Sequence, residues 1–169
     1  GEYIAAGCGY YVHLFDKDSS TPLWKTAPGG RVWSVAISAN GDYIAAGSEN
    51  RVFLFHKDNS TPLWNYNPGG EVKSVSISAD GEYITAGSKD ETVYLFDKDS
   101  STPLWNYTTG YEMSSVAISA DGEYVVASTT NWEDNIYLFR NNLLPTATID
   151  SITPSTARFD AEVTFNGTG

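Results

Sequence analysis

Cysteine is nearly absent: Cys8 stands alone, which excludes an internal disulfide and a thiolate metal cluster. Basic residues are few, ten Lys and Arg against 21 Asp and Glu, giving a formal charge of −11 and a pI near 4.4. Nucleic-acid binding needs clustered cations to meet phosphates, so this balance argues against it. An acidic surface suits solubility, cation binding or an acid- or salt-tolerant setting. No apolar run approaches the roughly 18 residues needed to cross a bilayer as a helix. Helical heptads are missing, and no segment holds a 3.6-residue period. The chain opens at Gly1 without a signal-like segment, but inside a repeat, so export is left open.

What the chain has is aromatic residues and repetition. Tyr, Phe and Trp make 14% of the 169 residues and hydrophobic residues 41%, enough for a core and typical of sheets. "FDKDSSTPLW" occurs at 15–24 and again at 96–105, with "FHKDNSTPLW" at 55–64. In register, the chain reads as units 1–40, 41–80, 81–121 and a half-unit 122–142. A period of about 40 is the length of a four-stranded propeller blade.

Each unit reads as four short strands, a to d from the axis outward. "VWSVAIS" alternates, "YIAAGS" is a short apolar run, "VFLFHK" is aromatic and β-branched, and "PLWNYN" opens with Pro as strand starts and edges do. Asn40-Gly41, Asp80-Gly81 and Asp121-Gly122 separate strands a and b, and such dipeptides predict type I′ hairpin turns. "PGG" at 28–30 and 68–70 predicts a second turn, from the outer strand of one unit to the inner strand of the next. Cys8 aligns with Ser48, Ser88 and Ser128 and is expected in a small buried slot.

These residues resemble two propeller families. "SVAISADGEYITAGSKDETVYLFD" is similar to a WD-repeat unit, with Phe15, Phe55, Phe96 and Phe139 where such repeats end on Trp and without the Gly-His pair that precedes their first strand. The Asp–His–Ser–Trp network of true WD repeats is therefore not expected. "TPLWNY" resembles the docking stretch of pyrroloquinoline-quinone-type (PQQ-like) propellers, which implies that Trp24, Trp64 and Trp105 wedge between neighbouring blades. The expected fold is an all-β propeller of about three and a half blades over 1–142. The first unit lacks strand a and the last lacks strand d. Three and a half blades do not close a ring of four to eight, so upstream blades or a second copy are expected to complete it. Residues 143–169 carry no repeat, and "PTATIDSI" with "AEVTFNGTG" resembles the opening strands of a PKD-type, immunoglobulin-like sandwich, truncated here. Propellers joined to such domains, common in archaeal and bacterial surface proteins, imply a cell-surface or extracellular setting.

The chemistry candidates are few. Asp16 and Asp18, and Asp97 and Asp99, resemble the start of a calcium loop, but the downstream Glu and Gly are missing and Asp and Ser are ordinary turn residues. No other cofactor is expected. His13 aligns with Phe53, Tyr94 and Tyr137 and reads as a strand residue. No arrangement of zinc ligands or of a nucleophile with its base stands out, so no enzyme activity is expected. Asn59, Asn106 and Asn166 head sequons. Positions that differ between copies are the better binding candidates. The d-to-a and b-to-c loops share one face of a propeller and bring Arg31, Trp33, Glu71, Lys73, Glu112 and Ser114 near the axis, with Glu49, Arg51, Asp90 and Glu91 beside them. "TTNWEDN" at 129–135 adds Trp132, Glu133 and Asp134, which no other copy has. An aromatic beside two carboxylates suits a protein, glycan or cation contact; the plain alternative is solvated, variable loops. The expected function is thus a non-catalytic scaffold or adhesion module of a surface protein, with an intracellular WD-type interaction scaffold or a quinoprotein fragment as alternatives.

Overall fold

A computed structural model describes residues 1–130 and 135–141. Within them the chain folds as fourteen strands and no helix. The first sheet holds β1 (Tyr3–Cys8), β2 (Tyr11–Asp16) and β3 (Pro22–Thr26). The second holds β4 (Val32–Ile37), β5 (Tyr43–Ser48), β6 (Val52–His56) and β7 (Trp64–Tyr66). The third holds β8 (Val72–Ile77), β9 (Tyr83–Ser88), β10 (Thr92–Asp97) and β11 (Pro103–Thr108), and the fourth β12 (Met113–Ile118), β13 (Tyr124–Thr129) and β14 (Ile136–Arg140). Every pairing is antiparallel and between chain neighbours. These are successive propeller blades, with the first sheet lacking an inner strand and the last an outer one among the described residues.

The sheets stack face to face, and the alternation of side chains explains why strand c is apolar throughout. Along β6, Phe53 and Phe55 turn toward the first sheet, where they meet Val12 and Leu14. Val52 and Leu54 turn the other way and meet Val75, Ile84 and Phe96 of the third sheet. Val93 and Leu95 of β10 likewise pack with Met113, Val116 and Val125 of the fourth. A strand covered on both faces needs a continuous apolar run, not an alternating one.

Polar groups tie the same seams. The amides of Val75 and Val116 donate to Oγ of Ser34 and Ser74 on the preceding sheet, each at 3.1 Å. Ala39 donates to the Ala79 carbonyl and Ala79 to that of Ala120, both at 2.9 Å, linking successive a–b turns.

Two expectations from the sequence are corrected. The a–b turns are not type I′: Gly41, Gly81 and Gly122 have positive φ, but Asn40, Asp80 and Asp121 do not. The turn instead closes over five residues, and the Asn40 carboxamide oxygen accepts from the Asp42 amide at 3.1 Å and from the Ser38 hydroxyl at 2.6 Å. Asp80 and Asp121 repeat this, and the bonds hold both carboxyls below the usual range. Gly is required at the next position twice over. Its φ is left-handed, and a Cβ at Gly81 would lie 2.5 Å from the Tyr43 ring of the preceding sheet. Cys8 is the second correction: it is exposed, whereas Ser48 and Ser88 are fully buried. Those serines are paired to Val32 and Val72 on an inner strand, and among the described residues nothing pairs with Cys8 on that side.

The tryptophans of the recurring motif sit at the outer end of the seams. The Trp24 ring lies 5.7 Å from Phe55, Trp64 5.3 Å from Phe96 and Trp105 5.0 Å from Phe139, each on the following sheet. The indole N–H of Trp24 donates to the Lys57 carbonyl at 2.6 Å and that of Trp64 to Lys98 at 2.7 Å. Replacing Trp64 by Ala removes a half-buried ring and strands the Lys98 carbonyl. A loss of about 3 kcal/mol or more is expected, read as a lowered denaturation midpoint in urea; an unchanged midpoint would deny the ring its role between sheets.

Candidate binding face

A bulge begins each inner strand. In β4 the register runs from Val32↔Ser48 to Ser34↔Gly47, leaving Trp33 without a partner on β5. Lys73 and Ser114 occupy the same place in β8 and β12. Bulges turn a side chain out of the pleat, and these turn position 33 and its equivalents outward at one end of the stack. The residue just before each strand, Arg31, Glu71 or Glu112, is tied to the neighbouring b–c loop. The amides of Glu49, Lys89 and Thr130 donate to the carbonyls of Arg31, Glu71 and Glu112 at 2.8, 2.8 and 2.9 Å.

Four of the sequence candidates converge there. Trp33, 38% exposed, lies under two cations: the Lys73 ammonium is 3.8 Å from its ring centre and the Arg31 guanidinium 4.5 Å. Such contacts stabilise by about 0.5–1 kcal/mol each when exposed. Glu71 Oε2 holds Lys73 at 2.6 Å and Lys89 at 3.2 Å. The bond from Lys73, then that from Lys89, keeps the Glu71 carboxyl below its usual range. Lys89 was missed in the sequence; the clue was a sign change, since Glu49 stands in its place one unit earlier. Beside the cluster, the Arg31 amide is 3.4 Å from Glu49 Oε2 and Arg51 donates to Asn65 Oδ1. Asp90 accepts from the Tyr94 hydroxyl at 2.6 Å, and burial followed by this bond pushes the phenol up. Glu91 is the one described non-Gly residue with positive φ, at 70°. Glu112 and Ser114 are exposed at the same end of the next sheet but join no ion pair with the cluster. Trp132, Glu133 and Asp134 lie outside the described residues, as do Asn166 and the whole of 143–169.

The remaining candidates have structural surroundings. Asp16 Oδ1 accepts the Asp18 amide at 2.9 Å and Asp97 Oδ1 the Asp99 amide at 2.8 Å, closing the c–d turns. Asp18 and Asp99 pair with Lys17 and Lys98. Among the described residues no three His, Cys, Asp or Glu side chains gather as a metal site. The motif lysines also reach back to the start of strand b: Lys57 to Asp42 at 2.7 Å, Lys98 to Glu82 at 3.2 Å, and Lys17 to Glu2 at 3.8 Å. Hydrogen bonding to Asp42 raises the Lys57 pKa, and Asp99 with Glu82 raises that of Lys98. His13 stacks on Phe15 at 5.9 Å and meets Tyr11 edge-on. Asn59 Oδ1 accepts the Thr61 amide within its turn at 2.9 Å, and Asn106 is exposed on β11.

A family model described as "Outer membrane protein assembly factor BamB" matches residues 9–143. That is most of the chain, and the chain belongs to this family of PQQ-like propellers. A solved structure entitled "Crystal Structure of Mitotic Checkpoint Complex" superposes with a TM-score of 0.75 at 14% identity, over 84% of this chain and 46% of that one. At that identity the likeness is one of propeller fold alone, and the chain spans just under half the length of its match. No curated protein matches the chain.

Glu71 gives the cluster a pH dependence with a definite sign. Its pKa is depressed in the folded state, so its contribution is complete above the ordinary carboxylate range and is lost as pH falls through the lowered folded value. The melting difference between the parent and Glu71→Gln is expected to be largest near neutral pH and to close under acid. A difference independent of pH would mean that Glu71 acts through packing and not through its charge.

Proposed function

We propose that the protein is a non-catalytic propeller module that binds a protein or glycan partner on the face where the d–a and b–c loops meet. The observation that carries this reading is Trp33: a large aromatic placed on a bulge, partly exposed, and held by Arg31 and Lys73. Trp and Arg are the side chains that most often anchor interfaces. The repeat supports it too, because positions between sheets recur from unit to unit, while position 33 reads Trp, Lys and Ser in successive units and position 31 reads Arg, Glu and Glu. A framework residue has the same neighbours in every blade, whereas a contact residue answers to a partner. Membership of a family described by an outer-membrane assembly factor supports a role outside the cytoplasm, at the cell surface or secreted. No described helix is long and apolar enough to cross a membrane.

Arrays of acidic and neutral peptides and of glycans, probed with the parent and with Trp33→Ala, test the proposal. A ligand bound by the parent is expected to weaken about tenfold or more in the variant, measured at a temperature where both proteins are folded because loss of the two cation–π contacts lowers melting modestly. Binding that survives the substitution would move the site elsewhere. Titration with pyrroloquinoline quinone is expected to leave tryptophan fluorescence unchanged; saturable quenching would instead favour the quinoprotein alternative.

A further inference from the structure

On the reading that the Trp33 face binds a partner, the charges around the ring define the ligand. The cluster belongs to the second and third sheets, and each of these has all four strands. The Trp33 ring already carries two cations, with Lys73 Nζ 3.8 Å and the Arg31 guanidinium 4.5 Å from its centre. A cationic guest would compete with both, so the indole is not a free cation site. It acts instead as a post that holds two donors in one place. Lys73 shares Glu71 with Lys89. An ammonium has three N–H donors, so Lys73 keeps donors beyond that bond. Arg31 is exposed, and among the described residues its guanidinium joins no ion pair. Three cations, Arg31, Lys73 and Lys89, stand with two carboxylates, Glu71 and Glu49, whose Oε2 lies 3.4 Å from the Arg31 amide. One positive charge is left over. That matches a single carboxylate and not a dianionic phosphate.

We propose that this place binds one carboxylate carried on a sugar ring, as in a uronic-acid residue of a glycan. The planar Arg31 guanidinium offers a carboxylate two parallel donors, and the Lys73 ammonium adds a point charge beside it. The surroundings select a sugar as the carrier. Glu49 and Glu112 are exposed at the same end of the sheets, and the chain as a whole carries −11. A partner with many carboxylates is repelled by both. A sugar acid brings one carboxylate flanked by hydroxyls, which donate to those carboxylates instead of opposing them. Its ring carbons cover indole surface that the two cations leave open, since Trp33 remains 38% exposed. The ligand is thus held by a charge-assisted fork, by hydroxyl donors at the rim and by apolar contact with one ring.

The test uses the full chain, isotope-labelled for NMR, and follows the Trp33 indole N–H. The probes are a trisaccharide with one terminal glucuronate, the same trisaccharide with that carboxyl reduced to the alcohol, and a neutral peptide carrying one aspartate. The glucuronate probe should shift the indole signal saturably. Reducing its carboxyl should weaken binding about tenfold or more, and so should Arg31→Gln or Lys73→Gln in the protein. Lys17→Gln removes the same charge from a c–d turn, at the other end of the sheets, and should leave binding unchanged. Melting curves establish that each variant is folded at the measuring temperature. The proposal is overturned if the reduced sugar binds as well as the acid; a neutral ligand that depends on Trp33 would still leave the wider binding role standing. It is overturned if the aspartate peptide binds more tightly than the sugar acid, which would assign the face to a protein partner. It also falls if Lys17→Gln weakens binding as much as Arg31→Gln, because long-range charge then explains the effect. If no probe shifts the Trp33 indole, this ligand class is excluded, and the peptide and glycan arrays decide the binding role separately.

Discussion

The structure depends on one strand type being buried on both of its faces. Strand c of each complete blade sends Val and Leu into one seam and a pair of aromatics into the other, so neighbouring sheets share a core that neither could form alone. A four-stranded sheet with both faces apolar would collapse against anything available. Stacking in sequence gives it one partner on each side and fixes the order. Successive polar links then set the spacing: the serine-to-amide bonds between inner strands, the alanine amides between a–b turns, and the indole bonds at the outer end. All three join groups whose positions repeat, which is why the ten-residue motif is written three times. Its Asp closes the turn, its Lys ties that turn to strand b, its carbonyl receives the preceding indole and its Trp continues the series.

Such an architecture divides the chain into residues that serve the seam and residues free of it. Tyr3, Tyr43 and Tyr83 lie against Gly41, Gly81 and Gly122 of the following sheets, and no substitution at either partner leaves the other alone. Positions 33, 73 and 114 have no such fixed partner from unit to unit. The bulge that lifts them from the ladder costs the sheet a paired residue, and it recurs in three inner strands while its side chain changes from Trp to Lys to Ser. A fixed backbone device that presents a varying side chain is how a repeat scaffold separates stability from recognition.

Much of this was legible from the repeat. Periodicity gave the strand order, and the three-stranded form that the first and last sheets have among the described residues followed from alignment of the copies alone. What was not legible depended on pairing. The dipeptide Asn40-Gly41 suggested a two-residue turn, but the side chain of Asn40 can cap an amide two residues on, and that local bond lengthened the loop. Cys8 was expected to be buried by analogy with Ser48, yet burial belongs to the strand opposite, not to the residue. The cluster around Trp33 was visible as a set of variable positions, but its grouping was not. It took the bulge to aim Trp33 outward, and the contact between adjacent inner strands to bring Lys73 over its ring.

The electrostatics of the face follow from the same geometry. A chain of net charge −11 repels anions at long range, so a basic partner is favoured on approach. At the face itself the balance differs. Arg31 and Lys73 lie over one indole, and the single Glu71 carboxylate is shared between Lys73 and Lys89, so the cluster keeps a net positive charge with the Arg31 guanidinium stacked and exposed at the rim. Lys73 and Lys89 are held in place by the carboxylate they share. Under the proposed binding role, a small local cation inside an acidic field would select by orientation, favouring a partner that places an acceptor at Arg31 and a ring or sugar face near Trp33.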